Sequence, residues 1–149
     1  MDLLGHDVAG RPYLTIGAAD LTCAQSRPGQ DRVALLRRGT IEYHAEWREN
    51  LAGSRLFWGP YVALAAGVYL LAFSGGVEGE LTLDFAHRGG NVLLKRVGLT
   101  DFAAPVCLVL TEPAADFEMQ AVKTRELRAL KLEAIAFHRV YTPAAVLAG

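Results

Sequence analysis

A chain of 149 residues that is 52% hydrophobic and 21% charged has the size and composition of one globular domain, which excludes wholesale disorder. Fifteen basic residues against sixteen acidic ones give a formal net charge of −1 without a basic cluster, which excludes nucleic acid as a predicted partner. The longest apolar run, at residues 61–73, is too short for a membrane helix, and the N-terminus does not resemble a signal peptide. The sequence therefore predicts a cytoplasmic protein without a membrane span, and it leaves open whether the chain is a fragment of a larger enzyme.

The predicted elements are β-strands, because short stretches that alternate between apolar and polar residues recur between glycine, proline or acidic turns. The first two strands are predicted at residues 13–16 and 41–47, with a surface loop at 25–31 between them. The next two, at 61–64 and 68–73, are predicted to form a tight hairpin. Its turn is the sequence Ala65-Ala66-Gly67.

The clearest alternation lies in residues 80–85 and 116–121, where every second residue is apolar. The predicted inward side chains are those of Leu81, Leu83, Phe85, Phe117, Met119 and Ala121. Around these strands the sequence predicts turns at 75–79 and 88–91 and further strands at 91–99 and 106–111. Each of these strands is expected to place one face on a shared core.

The closing segment predicts a strand with a β-bulge. Leu130 and Leu132 continue by twos, but Ile135 and Phe137 have changed parity, which an extra residue at 133–134 would explain. Residues 122–132 also have good helix propensity, and a helix there is the alternative to a loop between two strands. We prefer the loop because the leucines keep the period of a strand.

Eight or nine such strands predict an all-β fold, an antiparallel two-sheet sandwich of the jelly-roll kind. The predicted single domain, 1–149, comprises N-terminal strands and a loop at 1–38, the sandwich core at 39–140 and a tail at 141–149. Cys107 lies in an apolar run and is predicted to be a core thiol. A disulfide between Cys23 and Cys107 is the less favoured alternative, since the two cysteines lie far apart in the sequence.

The segment at 57–73 carries a resemblance to a known group of domains. Its Gly-Pro-Tyr at 59–61, the apolar residues that follow and the Gly-x-Tyr at 67–69 resemble a segment of small bacterial jelly-roll domains. Those domains resemble carbohydrate-binding modules, and some are appended to glycosyltransferases or other polysaccharide-assembly proteins. The resemblance covers roughly 39–140 and implies a non-catalytic module that recognises a glycan or serves polysaccharide-assembly machinery.

The aromatic residues near this segment are the best candidates for ligand contact, because sugars pack their flat C–H faces on rings while neighbouring polar groups bind the hydroxyls. The predicted ligand-binding residues are Trp47, Trp58, Tyr61, Tyr43, His44 and Arg55. The alternative for each ring is that it fills the core, since tryptophan and tyrosine are large hydrophobic residues first.

No catalytic motif is found, and the sequence predicts that the chain is not an enzyme. A pair of carboxylates for glycoside hydrolysis would have to come from Glu80, Asp84, Glu118 and Glu133, and no spacing singles out two of them. His44-Ala45-Glu46 lacks the second histidine of cupin-type metal sites, so we predict no metal ligand there, although a cupin-like metal-dependent enzyme remains an alternative.

No cofactor is predicted, and a structural calcium ion is left open because sugar-binding sandwiches often carry one. A further alternative is a structural module that self-associates into a homo-oligomer. Its contacts would be outward apolar residues, namely Leu70, Ala72, Val92 and Leu94.

Overall fold

A computed structural model describes residues 12–23, 35–45 and 55–140. The strands are β1 (Leu14–Gly17), β2 (Thr22–Cys23), β3 (Leu35–Arg37), β4 (Thr40–His44), β5 (Arg55–Leu64), β6 (Gly67–Glu78), β7 (Leu81–His87), β8 (Val92–Leu99), β9 (Val106–Leu110), β10 (Ala114–Lys123) and β11 (Ala129–Val140). A short 3₁₀ helix, Ala18–Asp20, is the only helical element of the described residues. The all-β prediction is confirmed. The strands outnumber the eight or nine predicted because β2 and β3 are too short to show alternation.

Two antiparallel sheets form the sandwich. The first sheet has the order β3-β4-β11-β6-β9, with β1 also paired to β11, and the second sheet has the order β2-β5-β10-β7-β8. Four of the pairs are nested along the chain: β4 with β11, β5 with β10, β6 with β9, and β7 with β8. A long hairpin that is rolled over itself produces this nesting, so the fold is the predicted jelly roll.

The core lies between the sheets and is built from the residues that alternation places inward. Leu83, Phe85, Phe117 and Phe137 are completely buried. The Phe117 ring lies 5.8 Å from that of Phe137 and 6.1 Å from that of Phe85, measured between centroids. Phe117 therefore joins the two sheets at their centre, since Phe85 belongs to the second sheet and Phe137 to the first.

The bulge predicted in β11 is present. Leu132 pairs with Gly75 and Ala134 pairs with Ser74, so Glu133 is the extra residue that changes the parity of the strand. Residues 124–128 connect β10 to β11 without a helix, which confirms the loop prediction. The two-residue spacing of Leu130 and Leu132 correctly indicated a strand, because both side chains face the core.

Two predicted connections are wrong. The hairpin at Ala65-Ala66-Gly67 does not form, because β5 and β6 belong to different sheets and the chain crosses between the sheets there. The turn predicted at 75–79 lies almost wholly within β6, which runs on to Glu78. The turn at 88–91 is confirmed as the β7–β8 hairpin.

Cys107 is exposed, so the prediction of a core thiol is wrong. In β9 the inward residues are Val106, Leu108 and Leu110, and alternation turns Cys107 outward between the first two. An apolar run does not reveal which of its two faces is buried. Across the described ranges, no helix combines the length and the apolar character that a membrane crossing requires.

Candidate functional site

The outer face of the second sheet brings an aromatic ring into line with polar side chains. Trp58 of β5 lies opposite Gln120 of β10, Gln120 lies opposite Asp84 of β7, and Asp84 lies opposite Arg96 of β8. Thr22 of β2 pairs with Trp58 and completes this line, which we call the aromatic–polar row. Residues directly opposite on neighbouring strands share a face, so the row crosses all five strands.

Asp84 and Arg96 form the charged end of the row. The Arg96 Nε donates to one carboxylate oxygen of Asp84 at 2.6 Å, and Nη2 donates to the other at 3.0 Å. This bidentate contact raises the pKa of Arg96, first through the hydrogen bonds and then through the negative charge. The Asp84 side chain is largely covered, whereas that of Arg96 is 62% exposed. The guanidinium therefore keeps donors available to solvent or to a ligand.

A second group of side chains lies beside the row, around Tyr61 and Glu118. Glu118 pairs with Pro60 on one side and with Ala86 on the other, and only 3% of its surface is exposed. The Tyr61 side chain is close to this carboxylate, while 51% of the residue remains exposed. Burial raises the pKa of Tyr61, and Glu118 raises it further through its charge and through hydrogen bonding.

The local backbone of β5 orients Tyr61. Gly59 has a φ of +106°, Tyr61 itself has a φ of +61°, and the Gly59-Pro60 peptide bond is cis. A β-carbon added to Gly59 would lie 3.8 Å from the Tyr61 ring, so the ring folds back over this glycine. A left-handed φ is readily adopted by glycine, which accounts for the residue type at position 59.

The β7–β8 turn covers the Glu118 carboxylate. A β-carbon at Gly90 would lie 2.9 Å from Oε1 of Glu118, so the turn packs directly on this side chain. Asp116 holds the turn, because its two carboxylate oxygens accept the backbone N–H groups of Arg88 and Gly89, each at 2.7 Å. These backbone hydrogen bonds, chiefly that from Gly89, lower the pKa of Asp116.

The Asp116→Asn substitution is expected to lower the melting temperature at neutral pH, because an amide replaces one of the two accepting oxygens by a donor. A carboxylate with a depressed pKa stabilises the fold above its unfolded-state pKa, and this contribution is lost as pH falls through the lower folded-state pKa. The difference between wild type and variant should therefore shrink below about pH 4. Thermal scans from pH 7 to pH 2 measure it, with Glu126→Gln as an exposed control. A difference that does not change with pH would contradict the ionic origin.

The structure brings together three of the six predicted ligand-binding residues. Arg55, Trp58 and Tyr61 all lie on β5; Arg55 is exposed, and its charge acts on Tyr61. Trp58 is partly exposed and faces outward, because its neighbour Phe57 points into the core. Trp47 lies outside the described residues. The structure thus brings Arg55, Trp58 and Tyr61 together on one strand of the second sheet, and their contact with a ligand stays a prediction.

The other two predicted residues lie on β4, in the first sheet. Tyr43 is completely buried in the core, so its prediction as a ligand contact is corrected: an enclosed ring cannot stack on a sugar. His44 faces the opposite way and lines an open depression together with Glu42, Glu78 and Lys131. His44 is therefore on a different sheet from Trp58 and Tyr61.

The four residues predicted to mediate self-association lie on two different sheets. Leu70 and Ala72 lie on β6 in the first sheet, whereas Val92 and Leu94 lie on β8 in the second. Leu94 packs against the core, so its prediction as an outward residue is wrong, and self-association stays a prediction. Within the described part of the chain, no group of three or more His, Cys, Asp or Glu side chains is placed to hold a metal ion.

Comparison with solved structures finds the same fold elsewhere. The chain is similar to one in the crystal structure of accessory secretory protein 1, 2 and 3 in Streptococcus pneumoniae, with a TM-score of 0.50 and 9% sequence identity. The likeness is one of fold. It covers 80% of this chain and 96% of the other. No protein-family model matches the sequence, and no curated protein matches it.

Proposed function

We propose that this chain is a non-catalytic module that binds a glycan on the outer face of its second sheet. The observation that carries the proposal is the aromatic–polar row, in which the partly exposed ring of Trp58 lies in register with Gln120, Asp84 and Arg96. Tyr61 adds a second, half-exposed ring on the same strand. Sugars need both kinds of group at once, a flat ring for their C–H faces and polar partners for their hydroxyls.

The arrangement favours binding over hydrolysis. Cleavage of a glycosidic bond by paired carboxylates needs one acid and one base or nucleophile, both free to act. Asp84 is held by both of its oxygens on Arg96, so its negative charge is already paired. Asp116, the other carboxylate that acts on Tyr61 together with Glu118, accepts backbone N–H groups with both of its oxygens, so the proposal gives the chain no catalytic residue.

The similar fold supports an accessory role. The neighbouring structure is described as one of accessory secretory proteins, and the sequence resembles modules found on polysaccharide-assembly proteins. We further propose that the module is a glycan-binding accessory to polysaccharide-assembly or secretion machinery, with a protein of that machinery as a second partner, and that it acts in the cytoplasm, as the sequence predicts. Binding should be weak, about micromolar to millimolar, because a shallow sheet face leaves little free energy after water is displaced.

Trp58→Ala is expected to weaken glycan binding at least about tenfold while the protein stays folded, if the stacking of a flat sugar face on this ring is comparable to the roughly 1–3 kcal/mol of a base stacked on an aromatic side chain. The ligand would be found by screening a glycan array, and affinities would be measured by calorimetry, which does not depend on tryptophan fluorescence. Trp47→Ala is measured alongside, because that ring is the other predicted contact.

Tyr13→Ala is the matched control for this experiment. Tyr13 is an exposed aromatic residue, 46% accessible, that lies next to Tyr69 of the first sheet. Its removal should leave glycan affinity unchanged. Binding that survives both Trp58→Ala and Tyr61→Ala in folded protein would remove the second sheet as the binding face.

A further inference from the structure

We infer that the ligand is an extended glycan chain that lies across the strands of the second sheet, with Arg96 as its second contact point, remote from Trp58. This inference rests on the proposed function and adds the length and the direction of the glycan. It arises from the register of the aromatic–polar row, which places an aromatic ring towards one edge of the sheet and an exposed guanidinium on the strand at the other edge.

The distance between the two ends of the row exceeds the width of one sugar. Trp58 lies on β5 and Arg96 on β8, and β10 and β7 lie between these strands. Three spacings between hydrogen-bonded strands place the two positions about 14 Å apart. A single sugar ring is about as wide as one strand spacing, so a sugar that stacks on Trp58 does not reach Arg96. A chain of about three or four sugars spans the distance.

The surface between the two ends is low. Gln120 and Asp84 are the members of the row that lie there. The outward neighbours of Asp84 on β7, two residues away on each side, are Thr82 and Ala86, and both have short side chains. Gly98, which has no side chain, lies opposite Thr82 on β8. A flat ligand can therefore lie across these strands without meeting a large side chain between the ring and the guanidinium.

Asp84 holds Arg96 in a fixed orientation. Two of the five N–H groups of the guanidinium donate to the Asp84 carboxylate, at 2.6 and 3.0 Å, and the remaining three are left for other acceptors. The Arg96 side chain is mostly exposed. A guanidinium that is already held loses little rotamer freedom when a sugar hydroxyl accepts from it. Arg96 is thus a ligand contact, and Asp84 is a positioning residue that acts through it.

Glu80 supplies an acceptor at the same end of the row. Gly98 lies two residues from Arg96 on the same face of β8, and a β-carbon added to Gly98 would lie 3.2 Å from Oε1 of Glu80. The Glu80 carboxylate therefore lies over this glycine, beside Arg96. A sugar hydroxyl both donates and accepts hydrogen bonds, and a guanidinium next to a carboxylate offers both kinds of partner. The end of the row on β8 is therefore suited to the hydroxyls of one sugar, while Trp58 is suited to the C–H face of another.

The test measures affinity against the length of the glycan. Glucan, mannan and galactan oligosaccharides, each from the single sugar up to about six units, are titrated into the full chain by calorimetry. For a series that binds, affinity should rise at least about tenfold up to about three or four units and then stay constant, because the second contact is reached at that length. In Arg96→Gln the ratio between the affinities for the longest member and the single sugar should fall to about twofold.

Lys95→Gln is the control, because it removes a cation from the adjacent position of β8. The Lys95 Nζ donates to the carbonyl oxygen of Cys107 in the first sheet, at 2.7 Å, and so lies away from the outer face of the second sheet. This variant should retain the rise of affinity with length. A wild type that binds the single sugar as tightly as the longest member, or an equal loss of the rise in Arg96→Gln and Lys95→Gln, would overturn the inference and leave the proposed function standing. If the wild type binds no member of any series, the proposed function fails, and the inference fails with it.

A measurement without ligand tests the role of Asp84. The Nε–H signal of Arg96 is followed by nuclear magnetic resonance and assigned by its loss in Arg96→Gln. In Asp84→Asn its exchange with solvent should be at least about tenfold faster, because a neutral amide replaces the charged acceptor. The same variant should reduce the rise of affinity with glycan length, since an unanchored guanidinium loses more rotamer freedom on binding. An unchanged exchange rate overturns the positioning role of Asp84 whether or not a glycan binds.

Discussion

Phe117→Ala is expected to lower the free energy of unfolding by about 3–5 kcal/mol, which rivals the whole stability of a small domain. The ring is completely buried between Phe85 of the second sheet and Phe137 of the first. Its removal loses the transfer free energy of the ring and leaves a cavity that two hydrogen-bonded sheets cannot close. Urea unfolding of the variant measures the loss.

Phe102→Ala provides the comparison for this substitution. Phe102 also contacts an aromatic residue, with its ring stacked 5.2 Å from Phe73, but it is only partly buried at the margin of the core. The same change in volume should therefore cost clearly less there. Equal losses for the two variants would mean that Phe117 is not at the centre of the sandwich.

Much of the fold could be predicted because burial of one sheet face leaves a period of two in the sequence. This period alone predicts that Leu83, Phe85 and Phe117 lie in the core, where the structure has them. The bulge in β11 was also predictable, because an extra residue at Glu133 changes the parity of every inward residue after it. These features depend on local patterns, which a single strand carries by itself.

Strand pairing could not be predicted in the same way. A jelly roll pairs strands that are distant in sequence, such as β4 with β11, and neighbouring strands such as β5 and β6 lie in different sheets. The hairpin at 65–67 was wrong for this reason. The prediction that Cys107 is a core thiol was wrong, because β9 is an edge strand and only one face of its apolar run is buried. In each case a distant partner, and not the local sequence, decides the outcome.

The candidate site was only partly predictable. Aromatic residue type pointed to Trp58 and Tyr61, but it pointed equally to Tyr43, which the inward face of β4 buries. The pairing of Asp84 with Arg96 could not be predicted, because the β7–β8 register shifts by one residue between the turn and Asp84. Extending the β7–β8 hairpin evenly from His87 and Val92 would place Lys95 opposite Asp84, and a register shift after Phe85 brings Arg96 there instead.

The sequence does not distinguish Glu118 from other acidic residues, because its burial comes from residues outside its own strand. From sequence it is one of several acidic residues on alternating strands, which usually keep a sheet soluble. The cover that distinguishes it is supplied by Gly90, twenty-eight positions earlier, and by Pro60. The burial of this carboxylate is therefore a property of the assembled sheet and not of its own strand.

The two adjacent glycines of β6 are expected to respond to alanine in opposite ways. Gly75 has a φ of +130°, and a β-carbon there would lie 1.9 Å from the carbonyl oxygen of Lys131 in β11. The backbones of β6 and β11 would have to separate at the bulge, so Gly75→Ala should lower the free energy of unfolding by about 3–5 kcal/mol.

Gly76 is the matched control, because it has no heavy atom within 4 Å of its added β-carbon. Gly76→Ala should be neutral or should stabilise the fold by about 0.4–1 kcal/mol, because alanine reduces the freedom of the unfolded chain. The urea midpoints of unfolding of both variants measure this difference in stability, and soluble yield is the second readout if Gly75→Ala does not fold. Similar stability of the two would show that β6 and β11 do not approach each other as closely at this bulge as the fold requires.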